Sequence, residues 1–243
     1  MHQFENSWLA RTLGRFVLAL FGWRVAGSIP KSKHTVIIAA PHTSNWDFIF
    51  LIAATSAIGV RINWLGKESL FSHPLGFLMH GLGGIPVDRS QRNNMVDQIC
   101  ERFSSRVSLH LVVPPAGTRA KTDRWRSGFY HIARQADVPV IFGFLDYSKK
   151  LAGISNVNHL SGIVKQDMDK IRSFYANKIG KFPTLSSTVR LAEEIDPTAP
   201  SQSNQVDRTT RRHRGIKNGA AALWFRTLGP NEQTGRNRFL STA

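Results

Sequence analysis

At 243 residues, 42% of them hydrophobic, the chain is long enough to bury one full core, and it carries no internal repeat or long low-complexity tract. Its single cysteine, Cys100, excludes an internal disulfide and a cysteine-based metal cluster. The formal charge of +16 attracts polyanions such as anionic lipid headgroups and phosphorylated carriers. The absence of any zinc-finger, RNA-recognition or helix-turn-helix signature argues against nucleic acid as the partner.

The first element is "WLARTLGRFVLALFGWRV". Leu9, Leu13, Phe16, Val17, Leu20 and Phe21 recur at helical spacing, Trp8 and Trp23 stand at the ends, and Arg11, Arg15 and Arg24 interrupt the run. The arginines and the lack of a small-residue cleavage site argue against a secretory signal, and no stretch approaches the roughly 20 apolar residues that span a bilayer. The reading over 1–30 is an amphipathic helix that covers the core with one face and lies on a membrane surface with another. Next, "HTVIIAA" (34–40) is a β-branched run that predicts a buried strand, and Asn45 or Trp46 to about Ser56 predicts a helix. "RINWLG" (61–66) is a second strand, and the stretch around Pro74 holds a short helix. "GGIPVDR" (83–89) is glycine-rich and then extended. Met95, Ile99 and Phe103 set a helix over 93–106, followed by a strand at 108–115, a helix at 127–137, a strand at 138–147 and a last helix at 166–182. Alternating strands and helices predict an α/β domain over 31–182, a mostly parallel or mixed sheet covered by helices on both faces. From Pro183 the period degrades, and "DPTAPSQSNQ" is a linker composition. We therefore expect a basic, largely irregular tail over 183–243.

In such sheets, sites form where strands end and helices begin. Three junctions are rich in polar residues: His42 to Asp47, the Gly83–Gly84 turn leading to Arg89, and the "PPAGTRAKTDRWRSG" loop with Arg119 after a Gly-Thr turn. A base beside a carboxylate, with two arginines after glycine turns, points to a reaction on an anionic substrate, since the guanidinium fork grips phosphate. Each feature also has a plain reading. Asp47 suits the first turn of a helix, Ser44 or Asn45 suits a cap, and Arg89 can pair with Asp88. Lys121, Arg124 and Arg126 read as a solvated face. His73, His80, His110 and His131 lack metal-ligand spacing, and neither Ser44 nor Ser90 sits in a Gly-x-Ser-x-Gly nucleophile turn.

The order of these blocks resembles the glycerolipid acyltransferase family, the 1-acylglycerol-3-phosphate acyltransferases in particular. The resemblance runs from about residue 10 to 182. It rests on His42-Thr43-Ser44-Asn45-Trp46-Asp47, on Gly83 to Arg89, on Ala116-Gly117-Thr118-Arg119, and on Val138-Pro139-Val140, with Lys67 in a segment similar to the family's between the first two blocks. Two departures stand out: Pro41 precedes the histidine where the family often has Asn, and Ala116 replaces a Glu.

The resemblance implies transfer of a fatty acyl group from acyl-CoA or acyl carrier protein, as co-substrate rather than cofactor, to a hydroxyl of a lysophospholipid-type acceptor. His42 would be the general base, Asp47 its partner, and Arg89 and Arg119 the phosphate-binding pair, with Gly117, Thr118 and Lys67 as further substrate contacts. No metal is implied. The enzyme would sit peripherally on the cytoplasmic face of a membrane with an anionic surface. The alternative, which Ala116 favours, is a catalytically degenerate acyltransferase fold that binds lipid or membrane without turnover.

Overall fold

The computed structural model describes residues 7–72, 74, 76–87 and 95–194. Arg89, Ser90 and His73 lie outside them, as does the tail beyond Glu194. The chain forms, in order, α1 (Trp8–Leu20), β1 (Arg24–Ala26), β2 (His34–Ala40), α2 (Trp46–Ile58), β3 (Asn63–Lys67), α3 (Gly76–Gly81), β4 (Gly84–Val87), α4 (Met95–Ser105), β5 (Leu109–Val113), α5 (Gly128–Gln135), β6 (Val140–Asp146), β7 (Leu151–Asn158) and α6 (Val164–Tyr175). The strands make one seven-stranded sheet in the order β1-β7-β6-β2-β5-β3-β4. β6, β2, β5, β3 and β4 run parallel, whereas β7 pairs antiparallel with β6 and carries β1 alongside it. The expected mixed α/β sheet is therefore present.

β2 is central because its sequence is apolar on both faces. Val36, Ile38 and Ala40 point to one core with α4, α5 and α6, where Ile99, Phe129 and Ile171 are buried. Ile37 points to the opposite face with Ile58, Val112 and Ile141. α2 covers that face and is apolar around its circumference because α1 lies across its outer side. The two helices approach closely at Gly14, where a Cβ would come within 2.5 Å of the Ala53 carbonyl oxygen. A side chain there would force the helices apart.

α1 buries only Gly14 and Leu18. Trp8, Leu9, Leu13, Phe16 and Leu20 are each at least 59% exposed and form one stripe at helical spacing on the outer face. Among the described residues no helix is long and apolar enough to cross a membrane.

The structure departs from the sequence expectation in three places. β1 and β7 are strands that apolar periodicity does not announce: β1 is three residues long, and β7 is broken by Gly153, Ser155, Asn156 and Asn158. The last helix ends at Tyr175, not near 182, and the chain turns through Gly180 back towards Thr43, whose Oγ1 accepts from the Phe182 amide at 3.2 Å. The expected boundary at 182/183 also lies too early. Residues 183–194 pack on the domain through Leu191, 1% exposed, and through the ion pair of Glu194 with Arg172.

Candidate active site

The five parallel strands end on one edge of the sheet, and the direction of progression reverses around β2, with β5 on one side and β6 on the other. Crevices at such switch points, beyond the carboxyl ends of strands, are where open α/β sheets bind ligands. His42 emerges there, two residues past β2.

The His42–Asp47 spacing has a local cause. After Pro41 the chain bends through Thr43, Ser44 and Asn45 into α2, so the second residue of that helix turns back over the bend. Asp47 Oδ2 accepts from the Thr43 amide at 2.7 Å, the Ser44 amide at 2.9 Å and His42 Nδ1 at 3.2 Å. Its other oxygen, Oδ1, accepts from the Tyr147 hydroxyl at 2.6 Å. Burial alone would raise the Asp47 carboxyl; the donors His42, Tyr147, Ser44 and Thr43 outweigh it and hold the group below the usual carboxylate range. Burial, and then the bond to Asp47, push the Tyr147 phenol well above its ordinary value, so it remains a donor. An ionised carboxylate can only accept, so the proton of the imidazole stands on Nδ1. Nε2 is left with a free lone pair.

The His42 side chain is a quarter exposed and that of Asp47 only 5%. His42 lines a cleft of about 560 Å³ whose walls include Ala116, Trp125, Tyr175 and Leu191, with Arg190 and Lys178 also lining it. Ala116, where the resemblance expects a carboxylate, is 7% exposed in that wall. Residues 186–191 line the same cleft, although they belong to the segment expected to be irregular. Arg172 also borders the cleft but is engaged by Asp169, Glu194 and the Val189 carbonyl.

Gly117 takes a positive φ of 67°, which lets the loop turn back after Pro114, and Thr118 Oγ1 accepts from the Ala120 amide. This turn carries Arg119 across to the first block, where its guanidinium donates to Asn45 Oδ1, so the first and third polar junctions meet. Lys67 ends β3, exposed. Trp64 is level with Val112, and Val112 with Ile37, so Lys67 reaches the level of Ala40 on the same sheet edge, roughly 10 Å away across two strand spacings. Among the described residues no cluster of three or more metal-ligating side chains occurs.

Sequence reasoning missed Tyr147 and read Asn45 only as a cap. Tyr147 closes the predicted strand "VPVIFGFLDY", and a polar aromatic at the end of a strand was the one available signal.

The chain is similar in sequence to known acyltransferases. The family model described as Acyltransferase matches residues 23–141. The 1-acyl-sn-glycerol-3-phosphate acyltransferase epsilon of Mus musculus is 35% identical over 100 residues, covering 38% of this chain and 27% of the relative. The 1-acyl-sn-glycerol-3-phosphate acyltransferase of Streptococcus pneumoniae is 23% identical over 146 residues, covering 56% of this chain and 54% of the relative. The chain thus spans about a quarter and about half the length of these two curated relatives. The crystal structure of the 1-acyl-sn-glycerophosphate (LPA) acyltransferase PlsC from Thermotoga maritima aligns with a TM-score of 0.49 at 18% identity, covering 70% of this chain and 76% of that one. The span matched by the acyltransferase model runs from just before β1 into β6 and holds both His42–Asp47 and the Ala116–Arg119 loop, so the part of the chain that carries the candidate site is the part similar to acyltransferases.

Proposed function

We propose that this protein is an O-acyltransferase that moves a fatty acyl group from a thioester, acyl-CoA or acyl carrier protein, to a hydroxyl of a lysophospholipid-type acceptor, by default 1-acylglycerol-3-phosphate. The observation that carries the reading is the bonding of Asp47. Its carboxylate is ionised, holds the Nδ1 proton of His42, and leaves Nε2 free beside a cleft at the switch point of the sheet.

A hydroxyl is a weak nucleophile at neutral pH, so its proton has to leave as the new bond forms. The acceptor O–H passes its proton to His42 Nε2 while its oxygen attacks the thioester carbonyl carbon. Asp47 stabilises the imidazolium by accepting from Nδ1–H, and it stays ionised because four donors surround it. The tetrahedral intermediate then expels the thiolate, which takes up the proton held on Nε2. An ester and a free thiol result, and the base is regenerated. The acceptor supplies the oxygen, so the chain needs no nucleophile of its own.

Arg119 and Arg89 serve as the acceptor's phosphate contacts in this reading, with Gly117, Thr118 and Lys67 as further substrate contacts. Arg119 is supported by its seat on Asn45, three residues from His42. The apolar outer stripe of α1, joined through Phe21 to Trp46 at 5.7 Å between ring centroids, supports attachment to the cytoplasmic face of a membrane, and the +16 charge supports an anionic surface.

The test is mass spectrometry of lipids formed from a mixed pool of lysophospholipids and acyl-CoAs. The reading expects one acceptor class, with a phosphate-bearing headgroup, to be converted to diacyl product. Binding of that class without any product would establish the degenerate-fold alternative instead.

A further inference from the structure

We infer that Tyr147 is a positioning residue for the His42–Asp47 pair: its hydroxyl fixes the carboxylate from the side opposite the histidine and sets how strongly Asp47 pulls on the imidazole. The inference rests on the reading of His42 as the base, but its geometry is independent of the substrate.

Asp47 divides its four bonds unevenly. Oδ2 takes three donors, all from the loop 42–44, whereas Oδ1 takes one, the phenol of a residue 100 positions away. Without that phenol, Oδ1 is a buried carboxylate oxygen that has lost its donor, and the group is free to turn about its last torsion. The Tyr147 ring is held so that it cannot follow. Trp23 packs edge-on at 4.8 Å and Phe50 at 6.1 Å, while the Tyr147 amide donates to the Ile179 carbonyl at 2.9 Å. Trp23 itself stacks on Phe50 at 4.6 Å. The hydroxyl is thus delivered by a rigid aromatic block drawn from α2 and the segment before β1, two elements that flank the site.

Among the described residues, besides Asp47, Lys181 lies over the ring at 5.7 Å, and the adjacent Asp146 is occupied by the Ser148 amide and hydroxyl. The hydrogen bond to Asp47 is therefore the contact through which a change at the Tyr147 hydroxyl reaches the base.

The experiment compares the full-length wild type with Tyr147→Phe. Nitrogen-15 histidine NMR follows the His42 titration in the free protein, with His42→Gln to assign the resonance. In parallel, kcat and both KM values are measured against pH with acyl-CoA and a lysophosphatidic acid. Loss of one donor makes Asp47 a stronger acceptor for the remaining Nδ1–H, which favours the imidazolium. The His42 titration midpoint and the acid limb of kcat move to higher pH, by about half to one unit. The kcat plateau falls about tenfold and neither KM changes, because Tyr147 touches no substrate group. A ring-fluorinated tyrosine at 147, a stronger donor of nearly the same shape, shifts the midpoint in the opposite direction and serves if Tyr147→Phe folds poorly. A His42 titration identical in wild type and in the fluorinated or phenylalanine variant overturns the inference, even where activity or melting temperature falls. A shifted titration in a protein that transfers no acyl group upholds the positioning and sinks the proposed reaction.

Discussion

β2 has a histidine at its first residue and another two residues past its last, and the two show how neighbours decide what an imidazole does. At the amino end, His34 packs edge-on against Phe103, and burial and then Lys33 lower its pKa. His110, close by on β5, bonds to the Thr35 hydroxyl at 2.9 Å, and burial, followed by His34, pushes it down to about 4. No carboxylate ion pair holds either ring among the described residues, so burial is what bears on them: His110 is a buried neutral group, and the half-buried His34 is shifted in the same direction. At the carboxyl end, His42 meets a carboxylate that four donors keep ionised, and it opens onto a cleft. The same strand supplies both environments. What differs is that one end points into packing and the other into the start of a helix whose first turn holds an acid.

The contrast is broken first at the carboxyl end of β2, where the proposed base stands. Asp47→Asn weakens the acceptor and turns an amide NH2 or oxygen towards the Thr43 and Ser44 amides, which favours the wrong orientation of His42. We expect kcat to fall roughly 10³- to 10⁴-fold, read as thiol release at saturating substrates. Leu191→Ala tests whether the wall of the same cleft is structural. A buried leucine lost from a packed wall costs about 2–5 kcal/mol in a denaturant titration, whereas a chain cut after Glu194 keeps the melting temperature of the domain. A cost near zero for Leu191→Ala would return the domain boundary to residue 182.

The amino end is tested by pH. The folded pKa of His110 lies below its unfolded value, so its contribution to stability is intact above about pH 6.5 and is lost as pH falls towards about 4. His110→Gln keeps a partner for Thr35 and removes the titration. It should flatten that part of the stability profile by about 3 kcal/mol at most, without affecting turnover at neutral pH. An unchanged acid slope would show that His110 is not buried neutral.

Much of this was legible in the sequence because the cues are local. The β-branched run 34–40 predicts β2 at its observed ends, and the His42–Asp47 spacing, read with the other blocks, predicts the pair that the structure joins. What was not legible depends on contacts distant in sequence. β7 is a strand because β6 and β1 pair with it, not because its own residues alternate. Leu191 belongs to the core although its surroundings, "LSSTVRLAEE", show no apolar period. Tyr147 meets Asp47 because parallel pairing sets Phe144 level with Ala40, a register that no motif states. Arg119 was expected at the site, but its seat on Asn45 needed the turn at Gly117 to bring two loops together.

The central claim is that Nε2 of His42 accepts the acceptor's proton. Its most direct test is thiol release from acyl-CoA with lysophosphatidic acid, measured side by side for wild type and His42→Ala, with thermal melts confirming that both are folded. The account predicts acceptor-dependent release by the wild type and a loss of at least roughly 10²-fold in the variant at an unchanged melting temperature. Equal rates from the two proteins would contradict it.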